Sequence, residues 1–398
     1  MPRVLFLSSH VGLGHAARDY AVSIVLRGLV PGVELDWCSA EPVNSFLDAL
    51  GERVVPDCRE LESFSRVIED LYNGRIRGLR ELGSRLGVLR RNWEMVRGFL
   101  ENGRYDLVFA DEFWEVVYAA PAETKEGMVF GTDIVYKRYS LNPLDLFISL
   151  VLNRYFKRVL PGFGSLLFLN DPETLGDARW YPLLGGRVRD WVEEHMFVAG
   201  LVTSFAPGEV PARCVAREKL GIGCDEFLVV VSVGGTSTRS EALPSCIDAA
   251  AERVVSMLGK RLGKRVRVVV LPGPRTRWEP RSGYVEVRGG VVPRLLDYYA
   301  AADLFVTRAG RTTTADLLCL GKPAVLIPIR KHFEQEDIAR DLNKRYGYPV
   351  LREDDCSAEE LVAGILEAIR RSYSAPRELC RGVERTARFL AGKLSTET

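Results

Sequence analysis

Two polar clusters, each where an apolar run gives way to a helical pattern, carry the side chains best suited to chemistry. The first is Ser9-His10-Val11-Gly12-Leu13-Gly14-His15. Gly12 and Gly14 let backbone approach a ligand closely, and a helix opening there offers unpaired N–H groups and the positive end of its dipole. That dipole disfavours the cationic form of His15, so the imidazole is expected to stay neutral, the state a general base requires. The plain alternative is a polar helix cap, and His10 is the second choice. An acid to orient the imidazole comes from Asp111 or Glu112, which follow the apolar run 107–110. Asp111 is preferred for its place at the strand end, with a helix cap as its alternative role. Asp19, one turn after His15, is a further candidate to orient the imidazole, with a solvent-facing i,i+4 neighbour the preferred reading.

The second half offers two further loops. Gly234-Gly235-Thr236-Ser237 follows an apolar run, and its glycines, hydroxyls and helix start make a phosphate cradle. It lacks the Gly-Lys-Ser or Gly-Lys-Thr ending of a Walker A loop. In Arg308-Ala309-Gly310-Arg311-Thr312-Thr313-Thr314-Ala315-Asp316, hydroxyls crowd a glycine turn at a new helix. Hydroxyls and N–H groups there suit a diphosphate, Arg308 and Arg311 complement its charge, and Asp316 suits ribose hydroxyls.

The elements that must position these loops are legible. Strand patterns at 4–8, 33–38, 107–110, 128–131 and 166–169 alternate with helical ones such as 16–27 and 85–100. A second series follows at 227–233, 266–271, 284–287, 304–307 and 324–328. Such alternation predicts α/β architecture: two facing Rossmann-like, doubly wound domains with ligands in a cleft at the strand C-termini. The expected domains are 1–204, 205–375 and a closing helix in 376–398 that packs back on the first. The linker is placed at 203–211, and Pro376 is taken as a first helical residue.

With 398 residues, 47% apolar and 27% charged, the chain can bury large cores. A net charge of +1 argues against nucleic acid as the main partner. No run of about 18 apolar residues spans a bilayer, and no signal-peptide pattern opens the chain, so a cytoplasmic location is expected. The eight cysteines form no Cys-x-x-Cys pair and read mostly as ordinary thiols, with disulfides left open for a heat-adapted source.

The motif residues resemble the C-terminal signature of family 28 glycosyltransferases and the related UDP-glycosyltransferases. The match comprises Gly310, Thr312, Thr313, an acid at Asp316, the strand entry Gly321-Lys322-Pro323, and the pair Glu334-Gln335. Val292 stands where that group meets uracil through backbone, and Gly12-Leu13-Gly14-His15 is similar to its acceptor-side loop. Asp316 is shorter than the usual glutamate, and Ala339 follows Ile338 where an asparagine is common. The resemblance implies a GT-B fold and an inverting transfer of a hexose, with N-acetylglucosamine the leading candidate, from a UDP-sugar to an acceptor hydroxyl. His15 would be the base. With no Asp-x-Asp in the sequence, neither a metal nor a cofactor is expected. A nucleotide-sugar hydrolase or epimerase is the rival reading, and a nucleotide-sugar-binding regulator without turnover a second.

The acceptor stays open. Leu144, Phe147, Ile148, Val151, Leu152, Tyr155 and Phe156 recur at helical spacing, followed by Lys157 and Arg158. This stripe reads either as core packing or, with the Arg-rich 75–97 nearby, as a surface peripheral to the membrane that meets a lipid-linked acceptor.

Overall fold

In a computed structural model the described residues are 1–63, 79–102, 105–138, 143–181, 185–235, 241–273, 276, 278–288, 294–354 and 356–396. The chain divides into two compact units. The first comprises Met1–Val11, His15–Val202 and Glu378–Thr398; the second comprises Gly12–Gly14 and Thr203–Arg377.

The first unit is built on six parallel strands: β1 (Arg3–Ser8), β2 (Glu34–Cys38), β3 (Leu107–Asp111), β4 (Met128–Thr132), β5 (Ser165–Phe168) and β6 (Phe197–Val198). Their order is β2-β1-β3-β4-β5-β6. Nearly every residue of β1, β3 and β4 is buried, as a sheet covered by helices on both faces requires. β6 escaped the sequence reading because two residues carry no period. The last helix, Gly382–Thr396, belongs to this unit. It starts later than Pro376, which lies in irregular backbone, so that proline opens no helix.

The second unit holds β7 (Phe227–Ser232), β8 (Val266–Leu271), β9 (Val285–Val287), β10 (Leu304–Thr307) and β11 (Ala324–Leu326), all parallel, in the order β11-β10-β7-β8-β9. Helices Ala242–Leu262 and Ala358–Ala368 seal one face with Leu243, Ile247, Val254, Leu361 and Ile365 packed on Val229, Val268 and Val306. Residues 203–211 contain no helix or strand. Both units are thus doubly wound and Rossmann-like. The expectation of mostly free thiols is corrected: Cys38 pairs with Cys58 and Cys246 with Cys356. Each pair joins segments distant in sequence, so no local spacing announced it.

Both sheets reverse winding direction beside their first strand. In the first, β2 lies on one side of β1 and β3 on the other; in the second, β10 and β8 flank β7. At such a switch point the loops leave in opposite directions and open a crevice at the strand C-termini. The loops after β1 and β3, and after β7 and β10, are the four that the sequence singled out.

Candidate active site

The loop after β1 is tied down at its start. The N–H of Ser9 donates to the Asp111 carbonyl at 2.9 Å, and Gly12 takes a φ of 79°, which side chains resist. Helix Gly14–Leu29 then begins, with His15 as its second residue. The Nδ1 of His15 is 3.4 Å from Asp111 Oδ2 and 3.0 Å from Arg18 Nη2, while its Nε2 is 3.7 Å from Glu112 Oε2. The tautomer sets the roles: Arg18 Nη2 can only donate, so an unprotonated Nδ1 accepts from it, whereas a proton on Nδ1 is given to Asp111 and leaves the Nε2 lone pair bare.

Arg18 lies three residues after His15, on the same helix face. It is 2% exposed and donates through Nε and Nη2 to both oxygens of Asp111, and through Nη1 to Asp133, each at 2.6 Å. Burial opposes ionisation of Asp111, but Arg18 and His15 hold its carboxyl well below the usual range. The expected dipole effect on His15 does not prevail. Burial and Arg18 lower its proton affinity, yet Asp111 and Glu112 together carry it above 6.5. Asp19 is not solvent-facing: it is 1% exposed and accepts from Ser8 Oγ at 2.6 Å, with burial and Asp111 pushing its carboxyl up.

His10 turns into the core, edge-on to Phe113, with Nε2 3.9 Å from Glu115 Oε1. Burial pushes the Glu115 carboxyl up to about 7, and Asn92 donates to it at 2.8 Å. Sequence reasoning missed Arg18 and Asp133. Their signals were an arginine one helical turn past His15 and an acid just beyond the end of β4.

In the second unit, Gly234 ends the β7 run with φ 82° and Gly235 follows; Thr236, Ser237 and Val292 lie outside the described residues. Helix Arg311–Cys319 starts at N-cap Gly310 with no side chain capping it. Thr314 N–H bonds the Gly310 carbonyl, which leaves the N–H groups of Arg311, Thr312 and Thr313 ahead of the first intrahelical bond. Backbone there suits an anion.

Several side chains expected to meet the ligand are engaged elsewhere. Arg308 is 3% exposed, donating to the Ile327 carbonyl at 2.9 Å and to Glu353 at 2.6 Å. Its charge faces Glu353 and fixes the β11 region. Arg311 keeps a quarter of its side chain exposed beside Glu334, at 3.5 Å. Gln335 accepts the Ile329 N–H at 3.0 Å and clips that loop.

Asp316 points inward. Its Oδ1 accepts the Ser204 N–H at 2.8 Å and its Oδ2 the Ser204 hydroxyl at 2.7 Å; Tyr299 bonds both Asp316 and Thr313. The shorter aspartate thus holds Ser204 through both of its oxygens.

Residues 228–383 match the model of the glycosyltransferase family 28 C-terminal domain. The second unit carries a family 28 glycosyltransferase C-terminal domain, in a chain with the GT-B fold. Its relatives include an uncharacterised glycosyltransferase of Methanopyrus kandleri, 27% identical over 59% of this chain and 67% of that one. Another is the UDP-N-acetylglucosamine–N-acetylmuramyl-(pentapeptide) pyrophosphoryl-undecaprenol N-acetylglucosamine transferase of Alkalilimnicola ehrlichii, 28% identical over 82% of this chain and 78% of that one. Similar solved folds include Acinetobacter baumannii MurG (TM-score 0.51, 12% identity, covering 98% of this chain and 99% of that one). The glycosyltransferase SnogD from Streptomyces nogalater is similar too (TM-score 0.59, 15% identity, covering 100% and 98%).

Burial pushes the Asp316 carboxyl up to about 7 although Ser204 and Tyr299 oppose the rise. A carboxyl whose folded value lies above its unfolded 3.8 binds its proton more tightly when folded. The glycosyltransferase should therefore lose stability as pH rises from about 4 to about 7. Asp316→Asn should flatten that decline in urea melts across the interval, whereas a carboxylate free to serve ribose would leave the pH dependence unchanged.

Proposed function

We propose that this glycosyltransferase moves a hexose, with N-acetylglucosamine the first candidate, from a UDP-sugar to an acceptor hydroxyl, with inversion and without a metal. The observation that carries it is the His15 imidazole held between Asp111 and Glu112 at the first sheet's switch point. A base so placed takes the acceptor's proton at Nε2 as the hydroxyl oxygen attacks the anomeric carbon. The bond to the diphosphate breaks with its electron pair on the leaving group. Charge building there calls for anion-stabilising groups, and the second unit by itself offers such groups in the uncapped N–H groups after Gly310, the Arg311 guanidinium and the loop at Gly234 and Gly235. The donor assignment is supported by the Alkalilimnicola ehrlichii relative, whose name specifies UDP-N-acetylglucosamine.

His15→Ala should lower turnover by about 100 to 10,000-fold while leaving donor affinity nearly intact. Donor affinity is read separately by thermal shift, since a ligand at 100 times its Kd adds about 2.7 kcal/mol. Normal turnover in His15→Ala would remove the base role. Free sugar formed from donor alone, at the rate seen with acceptor, would make water the nucleophile and the protein a hydrolase.

The acceptor we assign is lipid-linked or presented at a membrane surface. Among the described residues no helix is long and apolar enough to cross a membrane. Helix Pro143–Val159 buries Ile148 and Phe156 but leaves Phe147 54% and Val151 51% exposed. They border a cavity of about 630 Å³ lined also by Trp93, Tyr118, Leu152 and Tyr155. Helix Trp114–Ala119 begins two residues past Glu112 and reaches this cavity at Tyr118 and Ala119, a run of about 9 Å. Arg90 and Arg97 stand at the rim but pair with Glu94 and Glu101 at 3.1 and 3.6 Å. Apolar insertion should therefore outweigh charge. In co-sedimentation, the protein should bind vesicles and keep most binding in high salt, while the double variant Phe147→Asp, Val151→Asp should stay in the supernatant. Equal pelleting of both proteins, or none, would favour a soluble acceptor.

A further inference from the structure

His15 has a carboxylate at each ring nitrogen, and only Asp111 follows from triad logic. Glu112 is unusual for its residue type. Its φ of 45° lies in the left-handed region, a conformation that persists in non-glycine residues only where the surroundings over-determine it. The surroundings do so here. The Glu112 N–H donates to the Gly131 carbonyl at 2.9 Å. Its Oε1 accepts from Thr132 Oγ1 at 2.8 Å, the Asp133 N–H at 2.8 Å and the Ile134 N–H at 3.2 Å. Three donors thus fix one oxygen, and the other, Oε2, is 3.7 Å from His15 Nε2. The side chain is 3% exposed, so little water screens the pair.

We propose that Glu112 is a positioning residue for His15, and that the proton taken from the acceptor hydroxyl is held between His15 Nε2 and Glu112 Oε2. This rests on the reading of His15 as the base. At 3.7 Å the two groups are within ion-pair reach and short of a hydrogen bond, which leaves the Nε2 lone pair open to an incoming hydroxyl. Once Nε2 takes the proton, the imidazolium faces Asp111 at Nδ1 and Glu112 at Nε2. Arg18, on the same helix, opposes that positive charge and is itself neutralised by Asp111 and Asp133. Asp19 faces Asp111 from the next position of the helix. Among these acids, Glu112 alone contacts the nitrogen that meets the acceptor. Burial and the Asp133 charge push its carboxyl up to about 7, and a carboxyl and an imidazole this close titrate as a coupled pair.

The sign follows from the charge: an ionised Glu112 raises the proton affinity of His15, and a base works only when unprotonated. Glu112→Gln keeps an oxygen for the three donors and removes the charge. In the full-length protein, the His15 titration followed by 15N NMR should move down by about 1 in pH. The acid limb of kcat/KM should move down with it, while donor KM stays unchanged. A titration and acid limb that stay in place would overturn the proposal. Should Glu112→Gln fail to fold, the wild type still decides: a 13C-labelled Glu112 carboxyl and the His15 ring must titrate with shared midpoints, and independent midpoints reject the pair. Neither NMR measurement needs donor or acceptor, so they stand apart from any failure of the functional reading.

Discussion

A single buried guanidinium holds the first unit's chemistry together. Arg18 spends its fork on both oxygens of Asp111 and reaches Asp133 with its remaining nitrogen. It thereby joins the helix after β1, the end of β3 and the turn after β4 at one point. Such a charge is tolerated in the interior only because its partners are ionised and well aligned. Because that cation holds Asp111 ionised, the Asp111 carboxylate stands ready beside His15 Nδ1, and Asp133 is brought close enough to Glu112 to raise it. Removing Arg18 would leave acids crowded around one imidazole with nothing to balance them.

The second unit meets the opposite demand. On the proposed reading it holds an anion, and the backbone N–H groups ahead of the first intrahelical bond after Gly310 are the groups suited to one. Arg308 faces Glu353 and the Ile327 carbonyl, and Asp316 is turned inward onto Ser204. Both side chains stabilise the loops that present the Gly310 helix start, whose first N–H groups carry no side-chain cap. The same sheet topology therefore serves two chemistries. One switch point gathers buried titratable groups, and the other exposes a helix terminus.

Much of this was legible in the sequence, for reasons that individual residues show. Ten strands announced themselves because parallel strands covered on both faces need unbroken apolar runs, and the polar residues ending them marked the loops. The Gly310–Gln335 motif located the family because its glycine, hydroxyls and acid have fixed spacing. Side-chain direction was not legible. Spacing put Arg308 and Asp316 in the right loop but could not say that each turns inward, since their partners Glu353 and Ser204 lie 45 and 112 residues away. His15 was recognisable as a base candidate, but its proton affinity depends on Arg18 and Glu112, whose positions relative to the ring only the fold determines. The cysteine pairs were hidden for the same reason.

The central claim is a single displacement assisted by one base, and the configuration of the product tests it most directly. Transfer from a nucleotide sugar of defined anomeric configuration, followed by proton NMR of the product before mutarotation, reads the outcome at the reacting carbon. A base that activates the acceptor for attack opposite the leaving diphosphate gives a product of inverted configuration. Retained configuration would require two displacements or a front-face departure, and it would contradict the role assigned to His15.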